Sequence, residues 1–184
     1  YGLLKDNDKT IGFVYEFMCN KTLDDYYISN KDKINYTFAF LTMIRIFEGI
    51  KYIHSNHFIY RDLKPSNIFL NHDFVPFIGD FDSVKDIDNS EFPFTGNIGS
   101  DYFTSPEQYQ KDEYSYPTDI FSFGCIVYFL FSNGKNVILK DKYCDLMDNK
   151  IPKLENITSN IQNLLLACMK LNHSERITLE NIEK

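Results

Sequence analysis

The sequence predicts an α+β fold, mainly α-helical with a small β component, and three observations carry that reading. Apolar residues recur at helical spacing in three long stretches, and brief β-branched and aromatic runs lie between them. A chain of 184 residues is ample for one compact domain and short for two.

The elements follow in order. Ile11 to Met18 is a β-branched and aromatic run, predicted as a buried strand. It ends at Cys19-Asn20-Lys21-Thr22, and Leu23 to Tyr27 starts a short helix. Phe40, Met43, Ile44, Phe47, Ile50 and Ile53 mark the apolar face of a long helix over residues 36–55. Ile68-Phe69-Leu70 and Phe77-Ile78 read as two brief strands joined through Asn71-His72-Asp73. Residues 82–105 are polar and irregular, and a loop that long inside a compact domain is usually functional. Helix returns over 118–131 and 159–171, the second opened by a capping box from Ser159 to Gln162.

Composition narrows the function classes. The chain is 43% hydrophobic and 24% charged, as in ordinary globular proteins. A net charge of −7 without a lysine- or arginine-rich run argues against a nucleic-acid partner, whose binding rests on neutralising phosphates. Cys19, Cys125, Cys144 and Cys168 are scattered without a C-x-x-C pair and read as reduced thiols of an intracellular, cytoplasmic protein. The longest apolar stretch, Phe121 to Phe131, is too short to span a bilayer and reads as a core helix. His54 and His57 have no third ligand near in sequence, so a surface or packed pair is expected rather than a metal site.

The chemistry concentrates in one segment. Arg61-Asp62-Leu63-Lys64-Pro65-Ser66-Asn67 places a carboxylate, an ammonium and an amide within one short turn stiffened by Pro65. Asp80 follows 18 positions after Asp62, behind the apolar pair Phe77-Ile78. Two Asp residues, an Asn and a Lys on converging loops could hold a divalent cation and polyphosphate. Hard oxygen ligands suit Mg²⁺, and the Lys offsets charge on a transferring phosphoryl group.

This segment resembles the catalytic loop of eukaryotic-type protein kinases, H-R-D-x-K-x-x-N, with Tyr60 at the His position, and Asp80-Phe81-Asp82 resembles the D-F-G motif. Further elements follow in the family's order. Gly99 to Glu107 resembles the G-T-x-x-Y-x-A-P-E segment, Asp119 to Gly124 resembles D-x-W-S-x-G, and Asn172 to Arg176 resembles D-P-x-x-R. Val14 to Met18 resembles the hinge.

The resemblance implies a kinase-like fold in which residues 1–18 are a small-lobe remnant and hinge, and 19–184 the helical large lobe. It implies ATP and Mg²⁺ as cofactors and a protein substrate with a Ser or Thr hydroxyl, since Lys64 is the residue that accompanies serine/threonine specificity. By the same resemblance, Asp62 accepts the hydroxyl proton and Lys64 steadies the γ-phosphate. Asn67 and Asp80 hold magnesium, Glu16 and Met18 face adenine through their backbones, and Phe69 packs beneath the ring. Asp119 is expected to anchor the catalytic-loop backbone, Glu107 to pair with Arg176, and Tyr60 to pack on Phe81. Ser100 stands where the family has a Thr bridging the catalytic Asp and Lys. Thr95 is the candidate regulatory hydroxyl, with Arg61 to receive its phosphate.

The sequence departs from the family in three places. It contains no G-x-G-x-x-G loop and no V-A-I-K-like strand, so a partial domain is expected, and the isolated chain is expected to transfer little phosphate. Asp82 replaces Gly, and a Cβ there restricts positive φ. Tyr60 replaces His, a mild change. Two readings from different classes stand: an active serine/threonine kinase, and a kinase-like scaffold or allosteric module.

Overall fold

The computed structural model describes residues 2–31, 34–88, 102–110, 115–137, 151 and 153–182. The chain opens with an antiparallel hairpin, β1 (Gly2–Asp6) and β2 (Lys9–Val14), pairing Gly2 with Val14 at one end and Asp6 with Lys9 at the other, with a one-residue register shift between Leu4 and Lys5. Asn7 and Asp8 form its two-residue turn with φ of 46° and 65°, the left-handed pair that matches strand twist. The expected buried strand over 11–18 is corrected on both counts. The strand ends at Val14, residues 15–18 continue without regular structure, and Ile11, Phe13 and Val14 are exposed. A β-branched and aromatic run specifies a strand but not what covers it.

Helix α1 (Leu23–Ser29) starts at a capping box in which Thr22 and Asp25 satisfy each other's backbone donors. It is fixed from below by Tyr27, whose buried hydroxyl donates to the Leu130 carbonyl at 2.9 Å. Helix α2 (Tyr36–Ser55) is capped by Asn35, which accepts from the Phe38 N–H. Met43, Ile50 and Ile53 bury as the periodicity predicts, whereas Phe40 and Ile44 lie at its exposed edge.

After α2 come β3 (Phe58–Ile59), β4 (Ile68–Leu70), β5 (Pro76–Ile78) and β6 (Lys85–Asp86). β4 pairs antiparallel with β5, and β3 pairs with β6, so the polar segment from residue 82 begins by returning to the end of α2. α3 (Pro106–Gln110) precedes the central helix α4 (Tyr116–Phe131), buried continuously from Thr118 to Leu130. A helix apolar all round belongs in a core, and α2 and α5 (Ser159–Cys168) pack on it. A Cβ at Gly124 would sit 2.8 Å from Cys168 Cβ, which is how closely α5 approaches.

Two boundaries of α5 differ from expectation. Its N-cap is Thr158, accepting from the Ile161 N–H, and the Gln162 side chain instead accepts from the Leu154 N–H. The helix stops at Cys168, after which the chain turns toward Arg176 and a short α6 (Leu179–Ile182). Burial pushes the Cys168 thiol up to about 12, and Cys125 rises further, so both are inert core thiols.

Candidate active site

The segment from Tyr60 to Asn67 hangs from α4. Asp119, fully buried in the first turn of that helix, accepts the backbone N–H groups of Tyr60 and Arg61, each at 2.8 Å. His54, at the end of α2, places Nε2 2.8 Å from the same carboxylate. Three donors on one buried carboxylate satisfy its charge where water cannot. Arg61 consequently sits at φ 71°, a left-handed conformation that a non-glycine residue keeps only when its surroundings hold it. His57 faces away, with Nδ1 3.1 Å from Asp88 at the surface. The two histidines therefore have separate structural partners.

Pro65 opens a 3-10 turn (Pro65–Asn67) that brings the chemistry together. Lys64 Nζ lies 2.7 Å from Asp62 Oδ2, and Asn67 Nδ2 donates to the same oxygen at 3.0 Å and to the Asp62 carbonyl at 2.9 Å. Asp62 and Lys64 are half-buried and Asn67 is buried, so the group is oriented by protein yet open on one side. Arg61 Nε donates to the Ser83 carbonyl at 2.6 Å, joining this loop to the segment after Asp80.

Asp80 reaches the loop through Tyr60. The Tyr60 hydroxyl faces the carbonyls of Gly79 and Asp80, the latter at 3.1 Å. Burial, then the charge of Asp62, hold this phenol well above its ordinary range, so it remains a donor. The Tyr60 ring also meets Phe81 edge-on, with centroids 5.7 Å apart, as expected. Asp80 is left-handed at φ 56°, and the following 3-10 turn (Phe81–Ser83) carries Asp82 without a positive φ. The strain foreseen at Asp82 lies two residues earlier, so this backbone has no need of glycine at 82.

The Asp80 carboxylate is exposed and makes no hydrogen bond or ion pair with the described residues. Nor does any cluster of three or more His, Cys, Asp and Glu occur among them. That donor set, one open carboxylate and one oriented amide, fits Mg²⁺, which takes few protein oxygens and completes its shell with phosphate and water.

The residues expected to face adenine are placed more loosely. Phe69 lies half-buried in β4, its ring so close to Gly79 that a Cβ there would approach to 2.8 Å. Glu16 and Met18 lie on the segment after β2. Glu16 is exposed, and the Met18 carbonyl accepts from the Lys21 N–H at 3.2 Å. No hydrogen bond or ion pair among the described residues joins Glu16 to the Asp62 group. A cavity of about 770 Å³ opens beside Phe77, Phe81 and Val84, away from the reactive side chains. Thr95 and Ser100 lie outside the described residues.

Arg176 and Glu107 form the expected pair, with Nη2 to Oε2 at 2.7 Å and a second bond from Nη1, both groups buried. Arg176 also covers the Phe121 ring at 4.9 Å. Burial works against ionisation of Glu107, and the two bonds and positive charge of Arg176 outweigh it, leaving the carboxyl below its ordinary value. Sequence reasoning missed Gln108, buried next door, whose amide reaches the Arg61 carbonyl.

A mixed body of helices and short strands built on a buried central helix, with Asp, Lys and Asn converging on a strained loop, is an α+β fold of the protein-kinase type. The chain belongs to the protein kinase domain family, whose model matches residues 1–184. It is 32% identical over 172 residues to a protein of Acanthamoeba polyphaga mimivirus named as a serine/threonine-protein kinase, covering 90% of this chain and 61% of that one. It is 32% identical over 157 residues to one from Dictyostelium discoideum, covering 82% of this chain and 16% of that protein. The match to eukaryotic translation initiation factor 2-alpha kinase 3 of Bos taurus is 36% over 124 residues, 60% of this chain and 11% of that protein. The chain thus spans less than two thirds of the length of these relatives. No helix among the described residues is long and apolar enough to cross a membrane.

Proposed function

We propose that this chain is the catalytic lobe of a serine/threonine protein kinase that transfers the γ-phosphate of ATP to protein hydroxyls, with Asp62 as general base. The observation that carries the reading is the pre-formed group of Asp62, Lys64 and Asn67 on a loop held by Asp119. Phosphoryl transfer depends mainly on positioning and charge stabilisation, which is what such a group supplies.

Asp62 accepts the proton of the attacking hydroxyl while Asn67 fixes its carboxylate. Lys64, 2.7 Å away, neutralises charge developing on the transferred group. Asn67 and Asp80 would hold Mg²⁺, which when bound shields the phosphate oxygens. Backbone groups of Glu16 and Met18 would receive adenine, with Phe69 beneath it.

Residues 1–18 form, in this reading, the end of the small lobe and the hinge. The hairpin's exposed Leu3, Leu4, Ile11 and Phe13 support this, as a free two-stranded hairpin is at best marginal in water. A scaffold role without transfer is the competing class, and the relaxed turn at Asp82 counts against it. The test is phosphate transfer by the full-length natural chain with Mg·ATP: loss in Asp62→Asn with ATP binding retained supports catalysis, and equal transfer by the variant contradicts it.

A further inference from the structure

Arg61 is gripped at one end of its backbone by Asp119 through its N–H. Its other end is gripped as well. The Gln108 side chain donates from Nε2 to the Arg61 carbonyl at 2.8 Å, while its Oε1 accepts the Ser105 N–H at 3.0 Å. A carbonyl on one side and an N–H on the other admit only one orientation of the amide. The Gln108 N–H in turn faces Ser105 Oγ at 3.4 Å, and both residues are buried. The Arg61 carbonyl belongs to the peptide plane that leads into Asp62, and at φ 71° that plane is not the one Arg61 would choose alone.

We propose that Gln108 is a positioning residue for Asp62, clamping the left-handed Arg61 peptide from α3. The clamp couples α3 to the catalytic loop, so the setting of Asp62 depends on α3 being docked. This rests on the reading of Asp62 as catalytic base, and the experiment separates the two.

Gln108→Glu keeps the acceptor for Ser105 but loses the donor to Arg61 while ionised. A carboxyl buried against a carbonyl titrates above its usual range, and once protonated it regains a donor. Gln108→Met has neither group at any pH. In the full-length chain both variants lower kcat at pH 8 by roughly 10- to 100-fold, with KM for ATP little changed. Between pH 8 and 6 the ratio of Gln108→Glu to unmodified activity rises, and that of Gln108→Met stays flat.

Amide hydrogen exchange supplies the arm that needs no activity: Tyr60 and Arg61 exchange faster in Gln108→Glu while α4 keeps its protection. A flat pH ratio for Gln108→Glu overturns the clamp, and so does unchanged exchange or acceleration shared by α4. Absence of Asp62-dependent transfer in the unmodified chain overturns the kinase reading instead, and exchange then decides the clamp alone.

Discussion

His54 Nε2 lies 2.8 Å from Asp119 Oδ2, the same oxygen that accepts the Tyr60 N–H, so the end of α2 and the start of the Tyr60–Asn67 loop share one buried carboxylate. His54→Ala removes one donor from a carboxylate that water cannot reach. The expected cost is about 1.5–3 kcal/mol, the range for a hydrogen bond to a charged group. Denaturant unfolding measures it, and a variant as stable as the unmodified chain would place the support elsewhere.

The Glu107–Arg176 pair makes a prediction with a sign. Its carboxyl lies below the ordinary value of 4.5, so its contribution is fully present above that pH and is lost as pH falls through the depressed folded value. Glu107→Gln should therefore destabilise strongly at pH 7, where a buried partner left uncompensated costs about 3–5 kcal/mol. The gap between variant and unmodified protein should narrow below pH 4.5, as unfolding at both pH values reads directly.

At Asp80 the expected outcome separates binding from folding. Its carboxylate is exposed without a partner among the described residues. Asp80→Asn should leave stability within about 0.5 kcal/mol, as at ordinary surface sites, while Mg²⁺-dependent nucleotide binding is lost. A large fall in melting temperature would assign Asp80 a structural role instead.

Asp82 gives the opposite of what the family pattern suggests. Because its backbone lies outside the left-handed region, Asp82→Gly relieves no strain. It adds chain entropy to the unfolded state and should destabilise by roughly 0.5–1 kcal/mol. A gain in stability on thermal unfolding would refute that account.

Much of the fold could be read beforehand, because periodicity reports which side chains share a face. Helix α2 spans the residues its apolar spacing marks, and the β4–β5 pair falls on Ile68-Phe69-Leu70 and Phe77-Ile78. Ile11 to Met18 misled because burial depends on what lies opposite, which local pattern does not encode. Thr158 took the cap from Ser159 because either hydroxyl can begin a helix, and only the chain path decides.

The site divides similarly. Asp62, Lys64 and Asn67 are close in sequence, so a single turn assembles them. Gln108 lies 47 residues from Arg61 and next to a motif that claims attention for itself, and nothing local distinguishes its amide. The family pattern's glycine points to strain at Asp82, whereas the left-handed φ at Asp80 is a property of this backbone.

The central claim is that Asp62 is the base of a phosphoryl transfer. Its most direct measurement is transfer of labelled γ-phosphate from Mg·ATP to a Ser/Thr-containing protein by the full-length chain, alongside Asp62→Asn with ATP affinity confirmed. The account predicts transfer to hydroxyls by the unmodified chain, reduced about 10²- to 10⁴-fold in the variant, the range for loss of a general base. Equal transfer by the two chains, or none by the unmodified one under conditions where it binds Mg·ATP, would contradict it.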